Sequence, residues 1–308
     1  MSVTAASRPS SKPQRLAASF MSGAVFNLRA MFVAMSFGGA AAGCASAPSP
    51  LQPAQFGSVG VPNRGVLTGA LELPASGAGY VRYRTRGQHH FGVPRLVRAL
   101  ERAAAGVQAL APGEPLVIGD LSARDGGRIS GHNSHRTGRD VDLLYFATTP
   151  GGVPVRSPGF IPFEADGLAY DRVRSNFVRF DVDRVWLLIR GLLTDPEISV
   201  QFLFMSRPLE TQVIDYAIAR GEPLPLVYHA AATLTQPTDS LPHDDHLHVR
   251  VACTPEELLT GCSGGGPWWE WFPKLPPPPE LHELEYLAIG SEDPLIEAPL
   301  PDTASASR

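Results

Sequence analysis

Histidines are concentrated in two short segments of the chain, Gly131–His135 (GHNSH) and Pro242–His248 (PHDDHLH). Two carboxylates, Asp140 and Asp142, follow shortly after the first segment. Catalytic zinc sites are built from three histidine or carboxylate ligands, with a fourth position left for water. The two segments and the carboxylates together therefore predict a catalytic site for one zinc ion per chain.

Two alternatives bear on that prediction. A histidine taken alone is usually an ordinary polar residue in a loop, but here the same ligand chemistry recurs at two places in the chain. The second alternative is the metallopeptidase helix with the sequence His-Glu-x-x-His, which supplies two ligands and a glutamate base. That sequence does not occur in the chain. Another side chain must therefore accept the proton.

The spacing of the second motif predicts a strand over His246–Val251. In this stretch apolar residues alternate with His246, His248 and Arg250. Successive side chains of a strand point to opposite faces, so the apolar residues face the core and both histidines project into the site. One histidine can then bind metal while its neighbour acts as general base.

A strand over Val141–Phe146 is predicted for the first motif, and Asp140 and Asp142 would share one of its faces. One carboxylate from this strand would then join His135 and one of the later histidines as ligands. Further elements follow from periodicity. We predict helices over Val93–Val107, from the cap Asp181 onward and over Pro208–Arg220, and a strand over Ile198–Phe204, while Leu116–Ile118 is a short apolar run before a turn-rich segment.

The segments SGHNSHRTGRDVD (130–142) and HDDHLH (243–248) resemble the penicillin-insensitive murein endopeptidases. These belong to the wider group of lysostaphin-like, D-Ala-D-Ala-peptidase and hedgehog-like zinc proteins. The resemblance runs over roughly Gly79 to Cys262. It implies an α+β domain whose central, mainly antiparallel sheet carries the zinc site and is flanked by helices and long loops. The activity it implies is hydrolysis of peptide cross-links in bacterial peptidoglycan, of the D-alanyl to diaminopimelate type, with the peptide stems as partner.

The resemblance also implies roles for individual residues. The implied zinc ligands are His135, Asp142 and His248. His246 is the implied catalytic base, and His132 and His243 match further site histidines that orient water or substrate. Asp140 is expected to support the site from behind or to be solvated, rather than to bind metal. Asp245 departs from the pattern, because the best-known members carry an aromatic residue there.

Two other functions are compatible with the same motifs. A D,D-carboxypeptidase or dipeptidase would trim uncross-linked stems instead of cutting cross-links. A zinc-stabilised lipoprotein without catalysis would only bind the wall. The presence of His246 argues against this last function, since a purely structural zinc site does not need a base.

The N-terminal residues predict export. An apolar run over Ala30–Ala42 follows Arg29 and ends in Ala-Ala-Gly-Cys44, which resembles the lipobox of bacterial lipoproteins. We therefore expect residues 1–44 to be a signal segment with lipid attachment at Cys44. An ordinary secretory cleavage site just after Cys44 is the alternative. The expected location is the periplasm, with the membrane contacted only through the anchor.

The rest of the chain divides by composition. Residues 45–65 are rich in Pro, Gly, Ser and Ala and are expected to form a flexible tether. Residues 66–275 would form the zinc peptidase domain, and the Pro-rich, acidic residues 276–308 a mobile or loosely docked tail. The net charge is −4 and the basic residues are spread out, so nucleic acid is not an expected partner.

Cysteines and tryptophans near the end of the domain leave two questions open. In an oxidising compartment Cys253 and Cys262 are expected to form a disulfide, the alternative being two separate buried thiols. The aromatic cluster Trp268–Phe272 can fold back on the domain, line a substrate cleft or pack in the core.

Overall fold

A seven-stranded sheet forms the centre of the fold. The computed structural model describes residues 57–264 and 266–274. The strands are β1 (Gly57–Val61), β2 (Arg64–Thr68), β3 (Leu71–Glu72), β4 (Ser76–Gly77), β5 (Tyr80–Arg82), β6 (Phe91–Gly92), β7 (Leu116–Ile118), β8 (Asp140–Leu144), β9 (Ala147–Thr148), β10 (Pro154–Val155), β11 (Leu168–Asp171), β12 (Asn176–Phe180), β13 (Val200–Phe204), β14 (Leu234–Thr235) and β15 (His246–Val251). The helices are α1 (Pro94–Leu110), α2 (Val182–Leu193), α3 (Arg207–Ala219), α4 (Leu224–Thr233) and α5 (Pro255–Leu259).

The strand order of the central sheet is β14-β13-β15-β8-β7-β5-β4. Neighbouring strands run antiparallel, except that β13 and β14 are parallel and so are β5 and β7. The predicted α+β fold with a mainly antiparallel central sheet is confirmed. The order places β15 between β13 and β8, so the strand with the histidine pair lies in the middle of the sheet.

Alternation along the central strands separates the core from the site. Leu247, Val249 and Val251 of β15 are buried in the same apolar cluster as Val141 and Leu143 of β8. Helices α1 and α2 pack against each other and supply much of the rest of this cluster. Because the apolar side chains of β8 and β15 enter the core, their polar neighbours in sequence face the other side of the sheet.

The predicted elements that flank this core are present. The helix predicted from Val93 is α1, and the helix predicted from Pro208 is α3. Asp181 caps α2, its side chain accepting a hydrogen bond from the backbone N–H of Arg184. Within the described part of the chain, no helix combines the length and apolarity needed to cross a membrane.

The folded domain begins earlier in the chain than its composition predicts. The composition predicts a flexible tether over residues 45–65, but β1 and β2 form an antiparallel hairpin that begins at Gly57. Ser58 is fully buried, and its hydroxyl accepts a hydrogen bond from Nε of the buried Arg139. This contact with the domain holds a segment whose composition alone is typical of a linker. The predicted signal segment with Cys44, the remaining tether and the tail lie outside the described residues.

The predicted disulfide is confirmed, since Cys253 and Cys262 are bonded and both are buried. Their loop contains α5, whose N-terminus has a capping box between Thr254 and Glu257. The carboxylate of Glu257 also pairs with Arg95 of α1. The disulfide therefore fastens a short segment that follows directly on β15.

Removing this disulfide should cost stability without removing the site. The double variant Cys253→Ser with Cys262→Ser opens a short loop, for which the chain-entropy estimate is at most about 3 kcal/mol of unfolding free energy. Urea unfolding of the variant and the parent should show this difference. An unchanged midpoint, or two free thiols in the parent by mass spectrometry after alkylation without reductant, would contradict the prediction.

The aromatic cluster folds back on the domain. Trp269 donates a hydrogen bond from Nε1 to the backbone oxygen of Gln201 at 2.9 Å. The ring of Trp271 stacks on Trp269 and lies 4.2 Å from the ring of His229. The cluster thus packs against β13 and α4. Of the three arrangements that the sequence left open, the structure shows the one in which the cluster folds back on the domain.

Candidate metal centre and active site

Three imidazole nitrogens converge on one oxygen atom, Oδ1 of Asp142. His135 Nε2 lies 3.2 Å from it, His248 Nδ1 3.3 Å and His246 Nε2 3.4 Å. Ligand atoms about 2.0–2.1 Å from a tetrahedral zinc ion are roughly 3.3 Å from one another. The spacing around Asp142 is therefore the spacing expected between ligands of one metal ion.

Strand pairing brings these residues together from distant parts of the chain. β15 runs antiparallel to β8, and His248 is directly opposite Asp142 in the register. His135 reaches the same point from the loop that precedes β8. Its backbone is in the left-handed region (φ 62°), a conformation that costs energy for a non-glycine residue and often marks a functional site.

A glycine turn joins His135 to β8. Gly138 has φ 73°, and a Cβ atom there would lie 2.7 Å from side-chain carbons of Leu67 and 3.0 Å from the backbone nitrogen of Val93. A residue with a side chain would clash at this point as well as strain the backbone. Glycine therefore lets the loop turn tightly enough to place the imidazole of His135 beside Asp142.

Hydrogen bonds on the far side of each ring select the nitrogen that faces the centre. His135 Nδ1 is 2.8 Å from the backbone oxygen of Leu121, so it carries the proton and Nε2 is left with its lone pair. His248 Nε2 is 2.9 Å from Oδ1 of Asp140, which leaves Nδ1 as the free nitrogen. Both free nitrogens are the ones nearest Asp142. Outer partners of this kind are typical of metal-binding histidines.

Asp140 lies behind His248. Besides the bond from His248, its Oδ1 accepts a 2.6 Å hydrogen bond from Nε of Arg250, and its Oδ2 accepts one from the backbone N–H of His135. Burial opposes ionisation, but Arg250 and the imidazoles outweigh it and lower the pKa of Asp140. Asp140 is thus an anion that accepts a hydrogen bond from His248 on the side of the ring away from Asp142.

The donor set fits a metal ion. His135 Nε2 and Asp142 Oδ1 are buried and have no hydrogen-bond partner among the described residues. Unsatisfied buried polar atoms are costly, and a cation between these two atoms would satisfy both. Burial opposes ionisation of Asp142, but the surrounding imidazoles hold its pKa well below the usual value. The centre therefore offers one anionic oxygen and the nitrogen atoms of the surrounding imidazoles.

Two separate groups of three residues at the centre each have ligand atoms within 4.8 Å of one another. One is His132, His135 and Asp142, and the other is His243, His246 and His248. The predicted ligand set takes His135 and Asp142 from the first group and His248 from the second. Side-chain exposure distinguishes the histidine pair, since His248 is 8% exposed and His246 16%. His248 is the inner member and His246 lies nearer the opening.

His246 has a carboxylate on each side. Its Nδ1 lies 2.5 Å from Oδ1 of Asp245, and its Nε2 faces Asp142. Burial would lower the pKa of His246, but these two carboxylates outweigh it, and among the protein groups alone they raise the pKa to about 10. Among the protein groups alone the ring is therefore protonated at pH 7; a metal ion bound at Asp142 would offset the negative charge of that carboxylate and favour the neutral ring, which can accept a proton.

The two remaining predicted histidines also border the centre. His132 Nδ1 lies 3.6 Å from Oδ2 of Asp142, while its Nε2 is 3.1 Å from Asp120. His243 donates from Nδ1 to the backbone oxygen of Leu241, and its ring is 4.8 Å from that of His246. Burial and the neighbouring imidazoles lower the pKa of His243 to about 4, so this ring is neutral at pH 7.

Aromatic side chains border the centre on two sides. Phe160 is partly exposed, and its ring lies 5.2 Å from the ring of His246 and 5.3 Å from that of Tyr83. On β13 the ring of Phe204 is 5.2 Å from that of His248 and 5.8 Å from that of His243. These rings limit the directions from which a substrate can approach Asp142.

Several of these site residues were not predicted from the sequence. Asp120, Asp245 and Arg250 hold site side chains, and Phe160 and Phe204 border them. Asp245 and Arg250 were within reach of sequence reasoning, because they adjoin or alternate with the histidine pair. For Asp120 and Phe160 the sequence offered no comparable signal.

Known proteins are similar to the part of the chain that carries the first histidine motif. Residues 58–155 match the family model described as penicillin-insensitive murein endopeptidase. Over this segment the chain is similar to that family, so the resemblance inferred from the motifs is confirmed for residues 58–155, which contain His132, His135, Asp140 and Asp142. The second motif and β15 lie beyond the matched segment, and the sheet brings them to it.

Individual relatives give the same result. The chain is 41% identical over 88 residues to a penicillin-insensitive murein endopeptidase of Klebsiella pneumoniae strain 342, a stretch that covers 28% of this chain and 32% of the relative. Identity is 35% over 98 residues to one from Haemophilus influenzae, covering 31% and 34% of the two chains. It is 39% over 93 residues to one from Escherichia coli K12, covering 30% and 34%. The chain thus spans about a third of the length of these curated relatives.

Proposed function

We propose that this protein is a zinc-dependent endopeptidase that hydrolyses peptide cross-links in bacterial peptidoglycan, of the D-alanyl to diaminopimelate type. The observation that carries the proposal is the convergence of three imidazole nitrogens on the buried Oδ1 of Asp142. The relatives of the matched segment are named for murein endopeptidase activity, which supports the choice of substrate.

His135, Asp142 and His248 would hold the ion. Lewis acidity is what zinc supplies when bound at such a centre, through polarisation of the scissile carbonyl and a lower pKa for water. Leu121 and Asp140 keep the two ligand rings in the orientation that directs their lone pairs at the centre.

His246 would act as general base. Its Nε2 faces the centre, 3.4 Å from Oδ1 of Asp142, and would be within reach of a water bound there. After accepting a proton from that water, the ring can deliver it to the leaving amine of the broken cross-link. His132 and the neutral His243 flank the same space, where they can donate or accept hydrogen bonds to orient the peptide.

The experiment that tests the proposal is digestion of purified peptidoglycan, with separated dimeric and monomeric muropeptides as substrates, read by mass spectrometry. We expect dimers to be cut at the cross-link, the activity to stop with chelator, and zinc to restore it. Trimming of monomers only would show a carboxypeptidase or dipeptidase. Bound zinc without cleavage of either substrate would show a non-catalytic wall-binding protein.

We further propose that the protein works in the periplasm, anchored through lipid on Cys44. The support is the apolar run that ends at the Ala-Ala-Gly-Cys junction. Cys44→Ser should move the protein from the membrane fraction to the soluble fraction. It should also change the mobility of the protein on a denaturing gel, because the lipid is missing. Ser46→Ala, two residues away, is the matched control. Unchanged fractionation of Cys44→Ser would show that no lipid is attached there.

A further inference from the structure

Asp245 contacts His246 in the site but has no part in the proposed function. Its Oδ1 lies 2.5 Å from Nδ1 of His246, which is a short hydrogen bond between a carboxylate and an imidazole. On the other side of the ring, Nε2 is 3.4 Å from Oδ1 of Asp142. The ring is thus held along a line that runs from Asp245 to the metal centre.

We propose that Asp245 is a positioning residue that fixes the ring orientation and the tautomer of His246, so that the unprotonated Nε2 faces the centre. The inference rests on the proposed function, in which His246 is the general base. A ring rotated by half a turn about its Cβ–Cγ bond would point carbon atoms where the nitrogens now lie. The neutral ring also has two tautomers, and only the one protonated at Nδ1 can accept a proton at Nε2.

Asp142 faces Nε2 from the opposite side and would be occupied by the metal ion, while the aromatic neighbours of His246 do not supply this orientation. Phe160 meets the ring edge to face at 5.2 Å, and the ring of His243 is tilted at 4.8 Å. Such contacts limit the tilt of a ring, but they do not distinguish one nitrogen from the other. Asp245 does, because an ionised carboxylate only accepts hydrogen bonds and therefore keeps the proton on Nδ1.

The backbone holds Asp245 in the position this requires. Adjacent residues of a regular strand point to opposite faces, but Asp245 lies just before β15, outside the ladder. The segment before it is anchored at its backbone oxygens. The oxygen of His243 accepts bonds from the Tyr145 hydroxyl at 2.9 Å and the Ser206 N–H at 3.1 Å, and the oxygen of Asp244 accepts one from the Phe163 N–H at 2.9 Å.

The same arrangement recurs around the centre. His135 is fixed by a backbone oxygen, His248 by Asp140 and His132 by Asp120, each through the nitrogen turned away from Asp142. Asp245 completes the set for the one ring that is assigned proton transfer. Each ring therefore has its own acceptor, and loss of one acceptor should affect one ring.

The test uses the zinc-loaded protein and three variants. Asp245→Asn keeps the size of the side chain but can donate a hydrogen bond to Nδ1 from its amide, and Asp245→Leu removes the polar partner. Asp244→Asn is the matched control, since it removes the same charge one residue away from a side chain with no hydrogen bond to His246 among the described contacts. The measurements are kcat and KM on dimeric muropeptide, zinc per chain, and the tautomer of His246 by 15N NMR of the imidazole.

We expect both Asp245 variants to keep zinc and KM and to lose kcat by roughly 10- to 100-fold, the range found when outer partners of site histidines are removed. The NMR spectrum should show the Nδ1–H tautomer in the parent and a shift toward Nε2–H in Asp245→Asn. Asp244→Asn should stay within about twofold of the parent in kcat, since it removes no contact to the ring.

Three results would overturn the proposal: an Nε2–H tautomer in the parent, an unchanged kcat in both Asp245 variants, or loss of zinc in Asp245→Asn. If the parent cuts no cross-link, the proposed function fails. The tautomer in that same parent would still decide whether Asp245 positions His246.

Discussion

Replacing any one of the proposed ligands His135, Asp142 and His248 by alanine should remove zinc and peptidoglycan hydrolysis together. Each change leaves two protein ligands where catalytic zinc sites have three. We expect zinc affinity to fall by more than the 10- to 100-fold typical of a lost outer partner, with activity near background. Elemental analysis of dialysed protein beside muropeptide digestion would measure both quantities.

His229→Ala is the control for this series. His229 is a partly buried histidine that packs on Trp271, and it is not among the groups gathered around Asp142. The control should bind zinc and cut muropeptides like the parent. A ligand variant that keeps one zinc per chain and full activity would show that its residue does not bind the metal.

His246→Ala should separate metal content from rate. All three proposed ligands stay in place, so zinc should remain near one per chain. Turnover should fall by the roughly 10²- to 10⁴-fold that is typical of a lost general base. Because Nε2 of His246 is about as far from Asp142 Oδ1 as the proposed ligand nitrogens are, distance alone does not assign these roles. The variant pair His246→Ala and His248→Ala decides the assignment.

Two outcomes would contradict that assignment. If His246→Ala loses zinc while His248→Ala keeps it, the roles of the two histidines are reversed. If His246→Ala remains fully active, the proton acceptor is another group, and His132 and His243 are the nearest imidazoles to examine. His246→Gln is a second variant that preserves polarity and volume if the alanine leaves a water-filled gap.

Elements whose sequence pattern lies within a few consecutive residues could be predicted from the sequence. The strand His246–Val251 is observed with the predicted bounds, because its apolar and polar residues alternate without a break and the apolar ones enter the core. The cap Asp181 was also predictable, since a capping side chain acts on a backbone N–H three residues away. In both cases the decisive interactions are encoded by neighbouring residues or by burial on one side.

Elements that depend on distant contacts were not predictable. The β1–β2 hairpin begins in a segment with the composition of a linker, and distant residues hold it, among them Arg139 through Ser58 and Gly261 through Gly60. Helix α4 was not predicted, because it begins between Pro223 and Pro225 and buries only Val227, Ala230 and Thr233. Such a segment looks like a loop until α2, α3 and β13 are in place around it.

Site residues, too, could be predicted only where their own residue types and spacing indicate a role. The histidines and Asp142 were recognisable because their residue types and spacing match metal-binding chemistry. Asp120 and Phe160 were not, because an aspartate and a phenylalanine are common in loops and acquire a role only through His132 and His246. Residues that support or border the centre therefore required the three-dimensional arrangement.

The pairing of β15 with β8 makes the hydrophobic core responsible for catalytic alignment. His248 meets Asp142 in a ladder where every second residue of β15 is apolar and buried. A slip of one residue along β8 would expose Leu247, Val249 and Val251 and press both histidines into apolar surroundings. That error is prevented by the burial of three aliphatic side chains, before any ion is bound. Changes that loosen the core beneath β15 should therefore shift the ligands apart even when no site residue is altered.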